Sequence, residues 1–267
     1  MMQNISFYLQ IVKLKTKEVF HYKVAFVNNL CAQFFAYMVT LINICILLKS
    51  INVLNGWSIK EIILLWGLNV FSYGIAGMFF YNGCNELEFA VQNGTIDIYY
   101  AQPRSIFWHF MFKNINPIFI FHICFSLILL INSLKFLNIK YSEEKCIYFI
   151  ILLFCSVCVQ SCIMIIFASS SFKIIKSGNI VSTAIYGFRN FSTYPFSIYG
   201  KGIKFVLTFL IPYAFVSYYP AMFILNKANT IFDMIIIYAE PLIVIALVLI
   251  TIYVWRKGMY VYNGTGT

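Results

Sequence analysis

Residues 24–48 run for 25 positions without one charged side chain, and the stretches 62–81, 115–134, 147–168 and 234–255 are apolar for 20 positions or more. A helix rises about 1.5 Å per residue, so about 20 such residues cross a hydrocarbon core about 30 Å thick. A soluble domain has no place to hide five segments of this kind. Only 10% of the 267 residues are charged and 61% are apolar, whereas a soluble domain carries about 25% charged residues. The fold class that follows is all-α, a polytopic integral membrane protein with residues 1–267 forming a single transmembrane domain.

The stretches between the runs set the expected topology. Residues 1–23 mix Phe7, Leu9, Ile11 and Phe20 with Lys13, Lys15, Lys17 and Lys23, which suits either a helix lying in the membrane interface or a charged flank to the first span. The opening is polar and basic and the first apolar run has full membrane length, so no cleavable signal peptide is expected. Residues 82–114 form the longest polar connection, and residues 177–225 are irregular, interrupted by Pro195, Pro212 and Pro220. If both chain ends lie on one side, the number of crossings is even. Four early spans and one terminal span then leave a single net crossing, most economically a fifth span over roughly 177–195. Two short helices, 196–211 and 214–225, would follow it, dip into the outer leaflet and return. The expectation is therefore six transmembrane helices with an N-terminal interfacial helix and an outer re-entrant region at 196–225. Broken backbone at Pro212 is tolerable only where protein or a wet cavity satisfies it.

Lys and Arg number ten inside and eight outside in this arrangement, with Arg189 unassigned. The lysine cluster before the first span and the Arg256-Lys257 pair after the last place both termini in the cytoplasm. Trp57, Trp108 and Trp255 fall near span edges, where the headgroup zone favours such rings.

Several function classes find no support. The net charge of +10 is spread over short connections, which suits membrane lipid headgroups rather than nucleic acid. Six of the eight cysteines lie inside apolar runs, and Cys155 and Cys158 have no second pair or histidine beside them, so they read as packing residues and no metal is expected. His21, His109 and His122 are scattered, no nucleophile and base stand at a recognisable spacing, and no catalytic residue is expected. No G-x-x-x-x-G-K-[ST] pattern occurs, so this chain binds no nucleotide by that device.

Two ionisable residues stand inside the apolar part. An arginine at the bilayer centre costs about 2.5–3.5 kcal/mol on insertion scales. Arg189 therefore either lines a translocation path, facing an anionic or polar part of a substrate, or snorkels from a shifted span. Glu240 precedes Pro241 and reads as the first turn of a helix.

Three motifs carry a family resemblance. Gly94-Thr95-Ile96-Asp97-Ile98-Tyr99-Tyr100-Ala101-Gln102-Pro103 is similar to a Gly-x-x-Asp-x-x-Leu-x-x-Pro stretch, with Tyr100 where a leucine is usual. Tyr194-Pro195 and Ile211-Pro212, followed by Tyr219-Pro220, are similar to paired segments before a last span, and Trp255-Arg256-Lys257-Gly258 fits the closing pattern, with Tyr262-Asn263-Gly264 a loose version of the tail. With the layout above, they resemble the permease subunits of type-2 ATP-binding-cassette (ABC) exporters, in the bacterial branch whose permeases are separate chains. The resemblance implies a plasma (inner) membrane protein that exports a hydrophobic or amphipathic compound such as a peptide, lipid or drug. Two permease chains, as a homodimer or heterodimer, would dock on two cytoplasmic ABC ATPase subunits that hold ATP and Mg.

The coupling contact is expected in the cytoplasmic segment 82–114. There Glu86, Glu88 and Asp97 would pair with basic residues of the ATPase, and Phe89, Ile96, Ile98 and Tyr99 would act as apolar anchors. Gly94 would allow the turn, Asp97 would cap the next helix, and Pro103 closes the motif. Pro195, Pro212 and Pro220 would mark the re-entrant turn. A non-transporting membrane sensor or immunity protein, and a membrane-embedded lipid enzyme, remain the competing classes; the enzyme would need a polar catalytic cluster at one depth.

Overall fold

The computed structural model describes residues 2–51, 53–137, 142–174, 176–228 and 230–262; the closing Asn263-Gly264 lies outside these. Helices α1 (Met2–His21) and α2 (Lys23–Ile51) are separated only by Tyr22. Next come α3 (Ile59–Gln92), α4 (Asp97–Tyr100) and α5 (Ile106–Lys113). A 3-10 turn, Pro117–Phe119, leads into α6 (Ile120–Phe136), and α7 (Glu143–Ala168) runs on into the 3-10 turn Ser169–Phe172. Then α8 (Gly178–Ser182), a π-helical stretch (Thr183–Phe188) and α9 (Arg189–Phe191) join end to end. A broken pair follows, α10 (Lys201–Phe205) with its π-helical continuation Val206–Leu210, and α11 (Tyr218–Ile224) after the 3-10 turn Tyr213–Phe215. The last helix is α12 (Ile231–Val261).

Among the described residues five helices are long and apolar enough to cross a membrane: Lys23–Leu47, Ile59–Gln92, Pro117–Phe136, Glu143–Phe172 and Ile231–Val261. The chain is a polytopic all-α membrane protein. Its hub is α3, with 72% of the apolar window buried within the chain against 11% for α2. Small residues allow that burial: a Cβ on Gly77 would collide with the Phe119 ring at the head of α6.

Contacts sort the connections to two ends of the bundle. At one end Asn55 donates to the Ser197 carbonyl at 2.6 Å, Lys227 bonds the Gly56 carbonyl at 2.6 Å and Glu61 at 2.7 Å, and Lys145 donates to Asn226 at 2.6 Å. At the other, Tyr100 donates to the Met259 carbonyl at 3.1 Å, Phe172 packs on Trp255, and Gly178 lies against the Glu88 carboxylate. Residues 178–197 thus travel from the Glu88 end to the Asn55 end.

That passage runs over the stretch expected as the fifth span, 177–195, but not as one full-length helix. The helix covers only residues 178–191, about 21 Å of rise, and falls short of a full crossing; the non-helical Ser192–Pro195 region supplies the remainder. The pair Lys201–Leu210 and Tyr213–Ile224 is bent by 82°, and both of its ends lie at the Asn55 end. Of the three prolines assigned to one turn, only Pro212 stands at this bend. Pro195 precedes the 3-10 turn Phe196–Ile198, and Pro220 sits in the first turn of α11, a position that tolerates a missing N–H.

Hydroxyls satisfy the backbone that the break exposes. Ser192 donates to the Tyr213 carbonyl (3.2 Å), Ser217 to the Ser192 carbonyl (2.9 Å), Ser156 to the Phe215 carbonyl (3.1 Å) and Tyr213 to the Ala184 carbonyl (2.7 Å). This is the internal satisfaction that irregular backbone requires at membrane depth. Of the three tryptophans expected near span edges, Trp57 and Trp255 are buried against their own chain, with Lys227 4.7 Å above the Trp57 ring, and Trp108 is exposed.

Candidate functional site

Arg189 follows the π-helical stretch, which turns its side chain toward the middle of α3. Asn69 holds it twice, accepting from the guanidinium Nε at 3.2 Å and donating to the Arg189 carbonyl at 3.1 Å. The guanidinium also lies 3.6 Å from the Tyr73 ring centroid, a stacked cation–π contact. Asn69 is ten residues into α3, about 15 Å from its start. All these partners are neutral; the ion pairs among the described residues are Lys15–Glu18 and Lys227–Glu61.

The side chain opens onto a chamber of about 400 Å³ enclosed by α2, α3, α6 and the 178–191 helix. Its walls carry the Tyr81 and Tyr186 hydroxyls, which bond each other, and Tyr37, which bonds His122 Nδ1 at 2.8 Å. From α2 come Asn29, Gln33 and Thr40. Arg189 is the only charged residue in this lining. Arg189 is thus half-buried in the lining of this cavity, with its guanidinium fork facing polar space.

Glu240 is placed differently from its expectation. It is the tenth residue of α12, not the start of a helix, and Pro241 lies inside that helix. Its side chain is 0% exposed and neither carboxyl oxygen has a hydrogen-bond partner among the described residues. Pro241 is tolerated there because a long apolar helix continues on both sides and is held by neighbours.

The expected coupling residues gather at the Glu88 end, but not on a loop. Helix α3 runs on to Gln92, beyond the expected span end at 81, so Glu86, Glu88 and Phe89 ride on its last turns. Glu86 and Asp97 are exposed, Phe89 is 60% exposed and Ile98 57%. Glu88 accepts from Gln92 at 3.0 Å. Gly94 makes the turn with φ +67°, a left-handed conformation that favours glycine. Asp97 is the first residue of α4 and Ile96 occupies the cap position, so Asp97 does not cap the helix as expected. Tyr99 and Ile96, expected as anchors, are buried: Tyr99 packs edge-on against His109 and Phe110 at ring distances of 5.2 and 5.4 Å. They hold α4 on α5 and leave Phe89, Ile98 and the exposed Pro103 as surface.

Helix α1 is tied to the same end. Phe7 meets the His109 ring at 5.5 Å, and the Arg104 guanidinium lies 3.5 Å from the Phe7 ring centroid. Burial first, then the Arg104 and Lys113 charges, hold the His109 imidazole below its ordinary range.

The α2 wall of the chamber went unread in the sequence although its signal was there. Asn29, Gln33, Tyr37 and Thr40 recur at helical spacing within a charge-free span, and such a stripe marks a non-lipid face.

No curated protein sequence and no solved structure matches this chain. A family match covers residues 34–266, under the description ABC-2 family transporter protein. It takes in the chamber from Tyr37 to Arg189, the 82–114 segment, the bent pair and α12. The chain therefore belongs to the ABC-2 transporter family, as a membrane-spanning permease subunit of an ABC transporter.

Proposed function

We propose that this permease exports a hydrophobic or amphipathic compound across a bacterial plasma membrane, driven by ATP hydrolysed on separate cytoplasmic ABC ATPase subunits. The observation that carries this reading is Arg189, held by Asn69 about a third of the way along α3 and facing a polar chamber. An arginine at membrane depth is costly to place, and such residues mark substrate and ion paths; its use is read as meeting cargo. ATP and Mg belong to the partner ATPase, and two permease chains, alike or related, complete the unit.

The Glu88 end is read as cytoplasmic, with both termini on that side, and residues 82–114 as the coupling segment. Its exposed acids Glu86 and Asp97 stand beside the apolar Phe89 and Ile98, a combination suited to a basic groove with apolar floor. The bent pair is read as re-entrant from the outer face, with Pro212 at its tip and Pro195 and Pro220 at its flanks. Co-purification with the cognate ATPase tests the coupling assignment. Replacing Glu86 and Asp97 by Lys together should reduce the recovered ATPase by about tenfold, the scale on which charge reversal acts at interfaces. Undiminished recovery would remove this segment from the contact.

A further inference from the structure

We propose that the Arg189 chamber receives the anionic headgroup of an amphiphile, which reaches it from the membrane interface along a polar track on α2 while the tail stays in lipid. The inference rests on the permease reading and adds the chemistry of the cargo.

Charge comes first. Among the described residues the chamber presents one cation and no carboxylate, and Asn69 and Tyr73, which hold Arg189, are neutral. A guanidinium is matched best by a planar pair of acceptors on a phosphate or carboxylate. Tyr81 and Tyr186 bond each other and so leave one hydroxyl proton of the pair to donate into the same cavity. A cationic headgroup would be repelled, and an uncharged one would leave the arginine unneutralised.

Access comes second. A cavity of about 290 Å³ lies at the elbow of α1 and α2, with Lys15 and Glu18 at its rim, and it shares Asn29, Asn116 and Ile118 with the chamber. The two spaces therefore adjoin. Asn82 and Asn116 face the first, Gln33 and Thr40 the second. From Asn29 to Thr40 the stripe covers about 16 Å along α2, enough to lead from the elbow to the level of Arg189.

Size and surroundings decide between a whole lipid and a headgroup. About 400 Å³ holds a phosphate or carboxylate headgroup with water, and walls carrying Asn29, Gln33, Thr40 and Asn116 suit that headgroup better than an acyl chain. Other faces of α2 are apolar and open, with Phe35 66%, Val39 56% and Ile42 54% exposed. A headgroup inside the track and a tail along these residues satisfies both halves of an amphiphile. A soluble anion would have no use for that flank.

The test uses the full chain in nanodiscs of zwitterionic phosphatidylcholine, with thermal stabilisation read against dodecyl phosphate, dodecyl trimethylammonium and inorganic phosphate. Dodecyl phosphate should stabilise the wild type, and the trimethylammonium should not. Arg189→Gln should weaken dodecyl phosphate binding by about tenfold or more, Arg189→Lys by less, since it keeps the charge and loses the fork. Gln33→Leu, on the track and away from the Arg189 clamp, should weaken it as well, and carries the test if Arg189→Gln does not fold. Equal stabilisation by the cationic probe, or full binding by both Arg189→Lys and Gln33→Leu, would overturn the proposal. Inorganic phosphate acting as strongly as the amphiphile would overturn the track and assign the site to a soluble oxyanion. Binding is read without an ATPase, so failure here leaves the permease reading standing, and failure of ATPase assembly alone leaves the binding result intact.

Discussion

Arg189 and Glu240 are both ionisable residues deep in this bundle, and the fold treats them in opposite ways. Arg189 is clamped by Asn69, stacked on Tyr73 and turned toward a chamber of about 400 Å³. Glu240 is 0% exposed and has no hydrogen-bond partner for either oxygen among the described residues. A charge held by neutral dipoles beside polar space can meet a ligand without moving the protein. A carboxyl sealed inside the bundle near Tyr148, Cys155 and Tyr219, without a hydrogen bond among the described residues, cannot, because an unpaired buried charge is costly. Position in the membrane is thus insufficient to mark a cargo residue, and access separates the two.

Substitutions can break this contrast. The largest effect is expected from Glu240→Lys, which puts an obligate cation into the sealed site at a cost of about 3 kcal/mol or more. Fluorescence-detected gel filtration should show little folded protein. Glu240→Gln keeps the shape and should stay within about 1 kcal/mol of wild type in thermal unfolding. If the glutamine variant were as damaging as the lysine, Glu240 would have a partner that needs its charge, and the contrast would fail.

Next in size is Arg189→Met. It leaves the Asn69 amide, 1% exposed, without the guanidinium donor, for a loss of about 1–3 kcal/mol. Asn69→Leu should produce a similar loss from the other side of the clamp, and the double variant should cost less than the sum of the two. Strict additivity would mean that the two residues do not act as one unit.

The smallest effect lies at the Glu88 end, where His109, buried between α1 and α4, has a third kind of housing. Its folded imidazole sits below the ordinary value near 6.5, so it binds fewer protons folded than unfolded. The packing of α1 on α5 is then complete above about pH 6.5 and weakens as pH falls below it. Limited proteolysis of α1 should rise between pH 7.5 and pH 5, and His109→Phe should flatten that dependence. A pH response unchanged in His109→Phe would move its origin elsewhere.

Much of the architecture was legible because membrane length is a one-dimensional property. Each of the five charge-free or nearly charge-free runs became a helix of the right kind. Ends were harder to place. Polar Asn82, Asn85 and Glu86 look like a loop in sequence, yet α3 continues through them to Gln92, because a helix leaving lipid need only find water. Pro241 misled for a related reason: proline often opens a helix, but apolar residues on both sides carry α12 past it. Ile96 and Tyr99 alternate with exposed Asp97 and Ile98 within one short turn, where no period is long enough to separate core from surface. The chamber needed tertiary structure, since α2, α6 and the 178–191 helix meet only in the fold. Arg189 alone stood out beforehand, through the cost of its charge, while the α2 stripe was visible and unused.

The proposed export reading requires that ATP hydrolysis on a partner change access to the Arg189 chamber. The direct measurement is labelling of a single cysteine at Gln33→Cys, in a background without the eight native cysteines, by membrane-impermeant thiol reagents. Vesicles would carry the chain with its ATPase, and each face would be probed with and without ATP. The account predicts that the reactive face changes with nucleotide state. Labelling that stays the same from both faces, in a complex shown to hydrolyse ATP, would contradict it.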